Sequence, residues 1–331
     1  MKILVVAPSW IGDTLIAQPL LMRLAERGAV IDVLAPAWSA PLFERMAEVR
    51  KVIANPFGHG DFAFWNRRTL GKSLAAEGYD EAVVLPNSWK SALVPFFAGI
   101  PLRTGYKGEA RYGLLNRIHR LDKTALPQLA ERYAALAQMP GSALRRPLPQ
   151  PRLTATTDQQ QQTRQALGLA ADVQPYIFCP GAEYGPAKRW PARHFAELAR
   201  RLATPRSPVW LLGAEKDIAT GDEITALAAG VAVVNLCGKT RLDQAIDLLA
   251  GARWVVSNDS GLMHVAAALD RPLTALYGSS SPGYTPPLSD RAKILSLNLE
   301  CSPCFARECP LGHLRCLEDL SPQQVLAAME A

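Results

Sequence analysis

Short runs of consecutive apolar residues, each followed by a stretch in which apolar positions recur every three or four, repeat along most of this 331-residue chain. The runs do not alternate polar and apolar as a one-faced strand would, and they are too short to be helices. They read as strands covered on both sides. Residues 3–7 open the series, and an amphipathic helix is expected at 14–27, with Gly28 ending it. Strands at 30–34, 49–54 and 81–85, with helical stretches at 39–47 and up to about 77, continue it. Alternation of this kind implies a parallel sheet.

The rhythm breaks at 140–175, where prolines cluster and a run of four glutamines follows Asp158 and opens a helix that ends near Gly168. Such composition marks a linker. A second alternation then begins, with strands expected at 176–179, 209–212, 231–235, 254–257 and 273–277. Helices are expected between them at 192–202, 218–229, 242–249 and 262–269, and a last helix at 322–330. The predicted fold class is therefore α/β, with two Rossmann-like doubly wound domains. The first is expected over 1–168, with its linker from about 140, and the second over 169–315. Residues 316–331 are expected to pack back on the first.

Charge changes the picture by its distribution. The net charge is +6, yet residues 1–150 carry 19 Lys and Arg against 12 Asp and Glu, while 151–331 carry 17 against 18. An anionic partner of the first domain is one reading, and an ordinary solvated basic surface is the other. The apolar run at the N-terminus is too short for a spanning helix or a signal segment, so the chain is expected in the cytoplasm. Six cysteines in a chain of this length then read as reduced thiols.

Ligands of open parallel sheets bind beyond the carboxyl ends of the strands, so the loops there hold the candidate chemistry. After the first strand come Gly12 and Asp13, where the carboxylate is either a helix cap or a general base. After the strand at 176–179, a glycine-containing loop carries Glu183, Tyr184, Lys188 and Arg189 and reads as an anion pocket. After the strand at 254–257, Asp259 could accept hydrogen bonds from sugar hydroxyls, while the N–H groups of Ser260, Gly261 and Leu262 open a helix toward a phosphate. His264 lies on the same helix. A small-residue loop at 277–287 could close over a nucleotide. Neither domain carries the Gly-x-Gly-x-x-Gly fingerprint, which argues against a dinucleotide cofactor.

These segments together resemble glycosyltransferase family 9 over nearly the whole chain. The likeness rests on Gly12-Asp13, on Pro180-Gly181-Ala182 through Lys188-Arg189-Trp190-Pro191, and on Asn258-Asp259-Ser260-Gly261-Leu262-Met263-His264 through Tyr277-Gly278. Within the family it leans to the branch acting on the first inner-core heptose, because Glu183 and Tyr184 stand where the sister branch carries paired threonines. The resemblance implies a GT-B fold, its two domains facing a central cleft, with acceptor on the first and ADP-heptose on the second. It implies inverting transfer of heptose from ADP-heptose to heptosyl-Kdo2-lipid A. Asp13 would be the base, Lys188 would hold the donor phosphate, Asp259 the heptose, and Gly261 would give an N–H to the diphosphate. Glu183, Tyr184, Ser260, Leu262 and His264 complete the expected donor site.

On that reading the basic positions Arg67, Arg68, Arg103, Lys107, Arg111 and Arg120 would meet the acceptor's carboxylates and phosphates at the cytoplasmic surface of the inner membrane. No cofactor and no nucleic-acid partner is expected. There is no Asp-x-Asp motif, so no metal is assigned to the diphosphate. Cys301, Cys304, Cys309 and Cys316, with His313 among them, could supply zinc ligands, but their spacing is not a paired ribbon, and reduced thiols in a packed loop are expected instead. A heptosyltransferase of another inner-core position, a nucleotide-sugar epimerase and a non-catalytic anion-binding module are the rival readings.

Overall fold

The computed structural model describes residues 1–58 and 60–330. Its contacts divide the chain into two compact units, residues 1–151 and 152 onward.

The first unit is a six-stranded parallel sheet in the order β3-β2-β1-β4-β5-β6. Its strands are β1 (Lys2–Val6), β2 (Val30–Pro36), β3 (Val49–Asn55), β4 (Glu81–Val84), β5 (Leu102–Tyr106) and β6 (Arg117–His119). Its helices are α1 (Ile11–Ile16), α2 (Gln18–Ala25), α3 (Ala40–Phe43), α4 (Phe64–Leu74), α5 (Leu93–Phe97) and α6 (Leu129–Ala135). The apolar run of β1 sits at the centre of the sheet, paired through Ile3 with Ile31 of β2 and Glu81 of β4. Ile3, Leu4 and Val5 are essentially inaccessible, each burial stabilising the fold by about 1.5–3 kcal/mol.

Two departures from the sequence reading have local causes. The single helix expected at 14–27 is two, broken at Ala17, because Pro19 has no N–H to give to an ongoing helix but suits the first turn of a new one. Gly28 ends the second in the left-handed region, as expected. The second departure is that β5 and β6 occupy part of the stretch read only as a basic surface. Their centre is a polar network: Glu81 accepts from Thr104 Oγ1 at 2.8 Å and from Arg117, whose Nε also donates to Thr104.

The second unit repeats the architecture. Its strands are β7 (Tyr176–Cys179), β8 (Val209–Leu211), β9 (Val233–Asn235), β10 (Trp254–Asn258), β11 (Leu273–Leu276) and β12 (Ala292–Leu295), all parallel in the order β12-β11-β10-β7-β8-β9. Its helices are α7 (Thr157–Ala166), α8 (Ala192–Leu202), α9 (Ile218–Leu227), α10 (Leu242–Ala250), α11 (Gly261–Ala268), α12 (Arg315–Glu318) and α13 (Pro322–Glu330). Phe195, Leu198 and Ala199 of α8 pack with Val325 of α13 in one core cluster. The final helix, expected to pack back on the first domain, thus packs on α8 of the second unit. Likewise α7, expected before the boundary at 168, is held to α10 by Thr163, which donates to Asp247 at 2.8 Å. Hydrophobic burial of Val325 and the Thr163 bond anchor both helices here.

In each sheet the order of strand addition reverses between the first and fourth strands, at β1/β4 and at β7/β10. A crevice for ligand opens at such a reversal, beyond the carboxyl ends of the strands. No helix among the described residues is long and apolar enough to cross a membrane.

Candidate active site

At the reversal point of the first sheet, β1 runs through exposed Ser9 and Trp10 into α1, and Asp13 falls in the first turn of that helix. The turn closes through Thr14 N–H to the Trp10 carbonyl at 2.9 Å and Ala17 N–H to the Asp13 carbonyl at 2.9 Å. A half-exposed carboxylate is therefore fixed at the positive end of α1. Trp10 holds the N-cap position and its side chain makes no capping bond, while Asp13 is the acidic residue of the first turn.

The loop after β4 is shaped by Arg111, a buried guanidinium that donates to the carbonyls of Pro86 at 2.7 Å and Tyr106 at 2.7 Å, and to Ser91 Oγ at 3.3 Å. Arg67 is similarly occupied by the carbonyls of Phe62 at 2.8 Å and Asp61 at 3.0 Å and lies over the Phe57 ring. Arg103 donates to the carbonyls of Leu114 at 2.6 Å and Ile100 at 2.5 Å. These three arginines, expected on the acceptor, hold turns together, because each fork has found carbonyls that would otherwise be unpaired. Lys107 and Arg120 are exposed and Arg68 is half-exposed, so these three remain available to an anion.

The second reversal point gathers residues far apart in sequence. Asn258, the last residue of β10, is fully buried. Its amide donates to the Pro180 carbonyl at 2.7 Å and its oxygen accepts from Trp190 N–H at 3.0 Å, which pins both ends of the 180–190 loop to β10. Inside that loop Lys188 reaches Asp259, with Nζ 2.5 Å from Oδ2. The side chains are 18% and 6% exposed, so the pair is largely out of water.

Beside it, α11 begins at Gly261 with Ser260 in extended conformation and no side chain capping its N–H groups. The first N–H groups of a helix have no partner within it and carry its positive end. His264, one turn on, is buried, and that burial together with the Lys188 charge holds its imidazole down to about 4, against the opposing pull of Asp259. It is neutral near pH 7.

The remaining expected donor residues divide. Tyr184 lies between two cations, Lys188 at 5.4 Å and Arg307 at 5.3 Å from its ring, and its hydroxyl donates to the Phe305 carbonyl at 2.9 Å. Glu183 is exposed and paired with Lys216. Arg189 turns to Asp217, 3.7 Å away, and so leaves Lys188 as the loop's cation next to Asp259. Beyond β11, the hydroxyls of Ser279 and Ser280 are buried with no protein partner. Ser279 and Ser280 were read from sequence only as part of the loop at 277–287, and Asn258 only as part of the motif that opens α11. The small-residue run at 278–281 was the only signal for the former.

A buried ammonium and carboxylate and an uncapped helix start at the β7/β10 reversal, with unpartnered hydroxyls in the loop after adjoining β11, have the chemistry to receive a polyhydroxylated ligand carrying phosphate. Two parallel sheets of this order, each with such loops at its carboxyl edge, are the architecture of GT-B sugar transferases. Comparison with known proteins narrows the class. The model for "Glycosyltransferase family 9 (heptosyltransferase)" matches residues 67–315, and the chain belongs to that family. It is 48% identical to lipopolysaccharide heptosyltransferase 2 of Escherichia coli (strain K12), over all of this chain and 98% of that protein. It is 49% identical to lipooligosaccharide heptosyltransferase 2 of Haemophilus influenzae, over 90% of this chain and 89% of the other. The solved structure of E. coli ADP-heptose lps heptosyltransferase II superposes with a TM-score of 0.89 at 47% identity, covering 100% of this chain and 98% of that one. The chain is thus a glycosyltransferase that acts in heptose transfer to the lipopolysaccharide inner core.

Proposed function

We propose that the protein moves heptose from ADP-heptose onto the first heptose of heptosyl-Kdo2-lipid A, with inversion at the anomeric carbon and no metal in the chemical step. The observation that carries the reading is the Lys188–Asp259 pair beside the open start of α11. ADP-heptose stands in the name of the similar E. coli structure.

In this reading Asp259 accepts hydrogen bonds from heptose hydroxyls, while Lys188 and the N–H groups of Ser260, Gly261 and Leu262 receive the diphosphate. Asp13 takes the proton from the acceptor hydroxyl as its oxygen forms a bond to the anomeric carbon. The bond from that carbon to the donor phosphate oxygen breaks, its electron pair leaves with ADP, and Lys188 stabilises the added charge. Displacement in one step inverts the centre. Neutral His264 packs behind the pair without adding a second charge.

The acceptor is a lipid, and the first unit has a surface suited to a peripheral encounter with an anionic bilayer. Phe62, Trp65 and Phe96 are exposed members of a ring cluster that also contains Phe64, Trp89 and Phe97. Arg68 and Arg103 lie over Trp65 and Phe96, and Lys107 over exposed Tyr112. Amphipathic rings beside cations settle at the level of lipid headgroups.

The test is incubation with ADP-heptose and heptosyl-Kdo2-lipid A, following ADP release and the anomeric configuration of the product by NMR. Acceptor-dependent ADP release with inversion is expected. Isomerised sugar without acceptor would instead support an epimerase, and binding without turnover would support an anion-binding module.

A further inference from the structure

Between β12 and α12 the chain runs from 296 to 314 without a helix or strand. Connections longer than about 12–15 residues are uncommon in compact domains unless something holds them, because each fixed residue costs backbone entropy. Apolar burial does not hold this one, since most of 300–313 is exposed. Yet it is placed against two loops of the candidate site. Phe305 N–H donates to the Ser279 carbonyl at 2.7 Å, Ser302 Oγ donates to the Gly278 carbonyl, and Ala187 N–H donates to the Arg307 carbonyl at 3.0 Å. The Arg307 backbone comes so close to Gly185 that a Cβ there would sit 2.5 Å from its oxygen. The segment is a brace for the turn that presents Lys188.

The same segment contains four of the six cysteines. The other two, Cys179 and Cys237, are buried in the sheet core. Cys301, Cys304, Cys309, Cys316 and His313 line one pocket. A tight turn follows Cys309, with Gly312 in the left-handed region, and directs the Leu314 N–H to Cys309 Sγ at 3.4 Å. Among the described residues no three such side chains already stand at ligand spacing. The four thiols nevertheless share this pocket, and Cys316 lies within electrostatic reach of the other three.

We propose that Cys301, Cys304, Cys309 and Cys316 are the four ligands of one thiophilic divalent metal ion, zinc or iron(II), that fixes the 296–314 segment as a brace. Four sulfurs close a tetrahedral site and leave no position for substrate, so the metal is structural. Each thiol gives up its proton as it binds, and the binding free energy becomes order in the segment.

The full chain, produced in medium containing both zinc and iron and purified under reducing conditions without chelator, should carry about one metal ion per chain by elemental mass spectrometry. That measurement also tells zinc from iron. Cys316→Ser and the double Cys301→Ser/Cys304→Ser variant should lose the metal, while His313→Ala and Cys179→Ala keep it. Stripping the metal should open 296–314 to protease, and adding zinc back should close it. Wild-type protein with less than about one metal ion per ten chains, and no thiolate-to-cobalt absorption when cobalt is added, would overturn the proposal. So would a disulfide among the four cysteines by intact mass, or loss of metal in folded His313→Ala. None of these readouts depends on transferase activity.

Discussion

Replacing Lys188 with methionine separates what this residue does for the fold from what it does for the reaction. The Asp259 carboxylate is 6% exposed and its nearest cation is Lys188, 2.5 Å away. Methionine keeps the aliphatic stem and removes the charge. Breaking a fully buried pair from one side costs about 3–5 kcal/mol, because the other charge is left uncompensated. Lys188 is 18% exposed, so water reaches part of the vacated space and a loss of about 2–3 kcal/mol is expected. In a unit of this size each kcal/mol moves the melting temperature by about 2–4 °C, which gives a fall of roughly 4–12 °C. Adding Asp259→Asn removes the stranded charge, and the double variant should recover most of that stability. It should not recover turnover, since the leaving diphosphate still lacks its ammonium, and both Lys188→Met proteins should lose at least about 10²-fold at saturating donor. Thermal unfolding of the four proteins of the cycle, with ADP calorimetry and saturation kinetics, makes the comparison. A double variant no more stable than Lys188→Met, or wild-type turnover in Lys188→Met, would refute the reasoning.

Asp13→Asn should keep the fold and ADP affinity but lose about 10²–10⁴-fold in turnover, and near-normal kinetics would remove Asp13 as the base. Arg111→Met should lower the melting temperature, because five protein oxygens lose a donor. Lys107→Ala should leave stability alone and raise the acceptor KM; the reverse pattern would return Arg111 to the acceptor site. His264 is held down to about 4, whereas an unfolded histidine titrates near 6.5, so between these values only the unfolded chain takes up the proton. Stability should therefore fall by roughly 3 kcal/mol as pH drops from about 6.5 to 4, and a folded His264→Gln protein with the same slope in denaturant titrations would disprove this.

The strands that sequence reveals are those whose own residues form the core. The run at 3–7 and the strand at 176–179 were legible because nearly every side chain is apolar, and α8 because its buried positions fall on one face. Strands β5, β6 and β12 were not. Thr104 and Arg117 are satisfied through one another and through Glu81 on β4, and β12 is an edge strand whose middle residues, Lys293 and Ile294, are exposed. The site divides the same way. Asp13, Lys188 and Asp259 follow runs that the pattern alone marks as strands, Asp13 in the first turn of α1 and the other two in the loops after β7 and β10. The contact between Lys188 and Asp259 spans 71 residues, and nothing local to either announces it. The clamp by Asn258 is equally remote from the loop it holds.

The arginines show why a basic run is ambiguous. A guanidinium has five donors, so it can serve an acceptor's phosphate or a turn's carbonyls equally well, and sequence does not say which oxygen is near. Arg67, Arg103 and Arg111 went to carbonyls. A carbonyl satisfies a donor without cancelling its charge, whereas a carboxylate does both. The excess of 19 basic over 12 acidic residues in 1–150 therefore survives as a field even though these three guanidiniums are engaged by carbonyls. On the proposed acceptor reading, these arginines would act on an anionic lipid mainly through that field, while exposed Lys107 and Arg120 would also contact it. Salt should accordingly weaken capture of the acceptor more than it weakens turnover once the acceptor is bound, because screening acts on the long-range field and hardly on contacts made out of water.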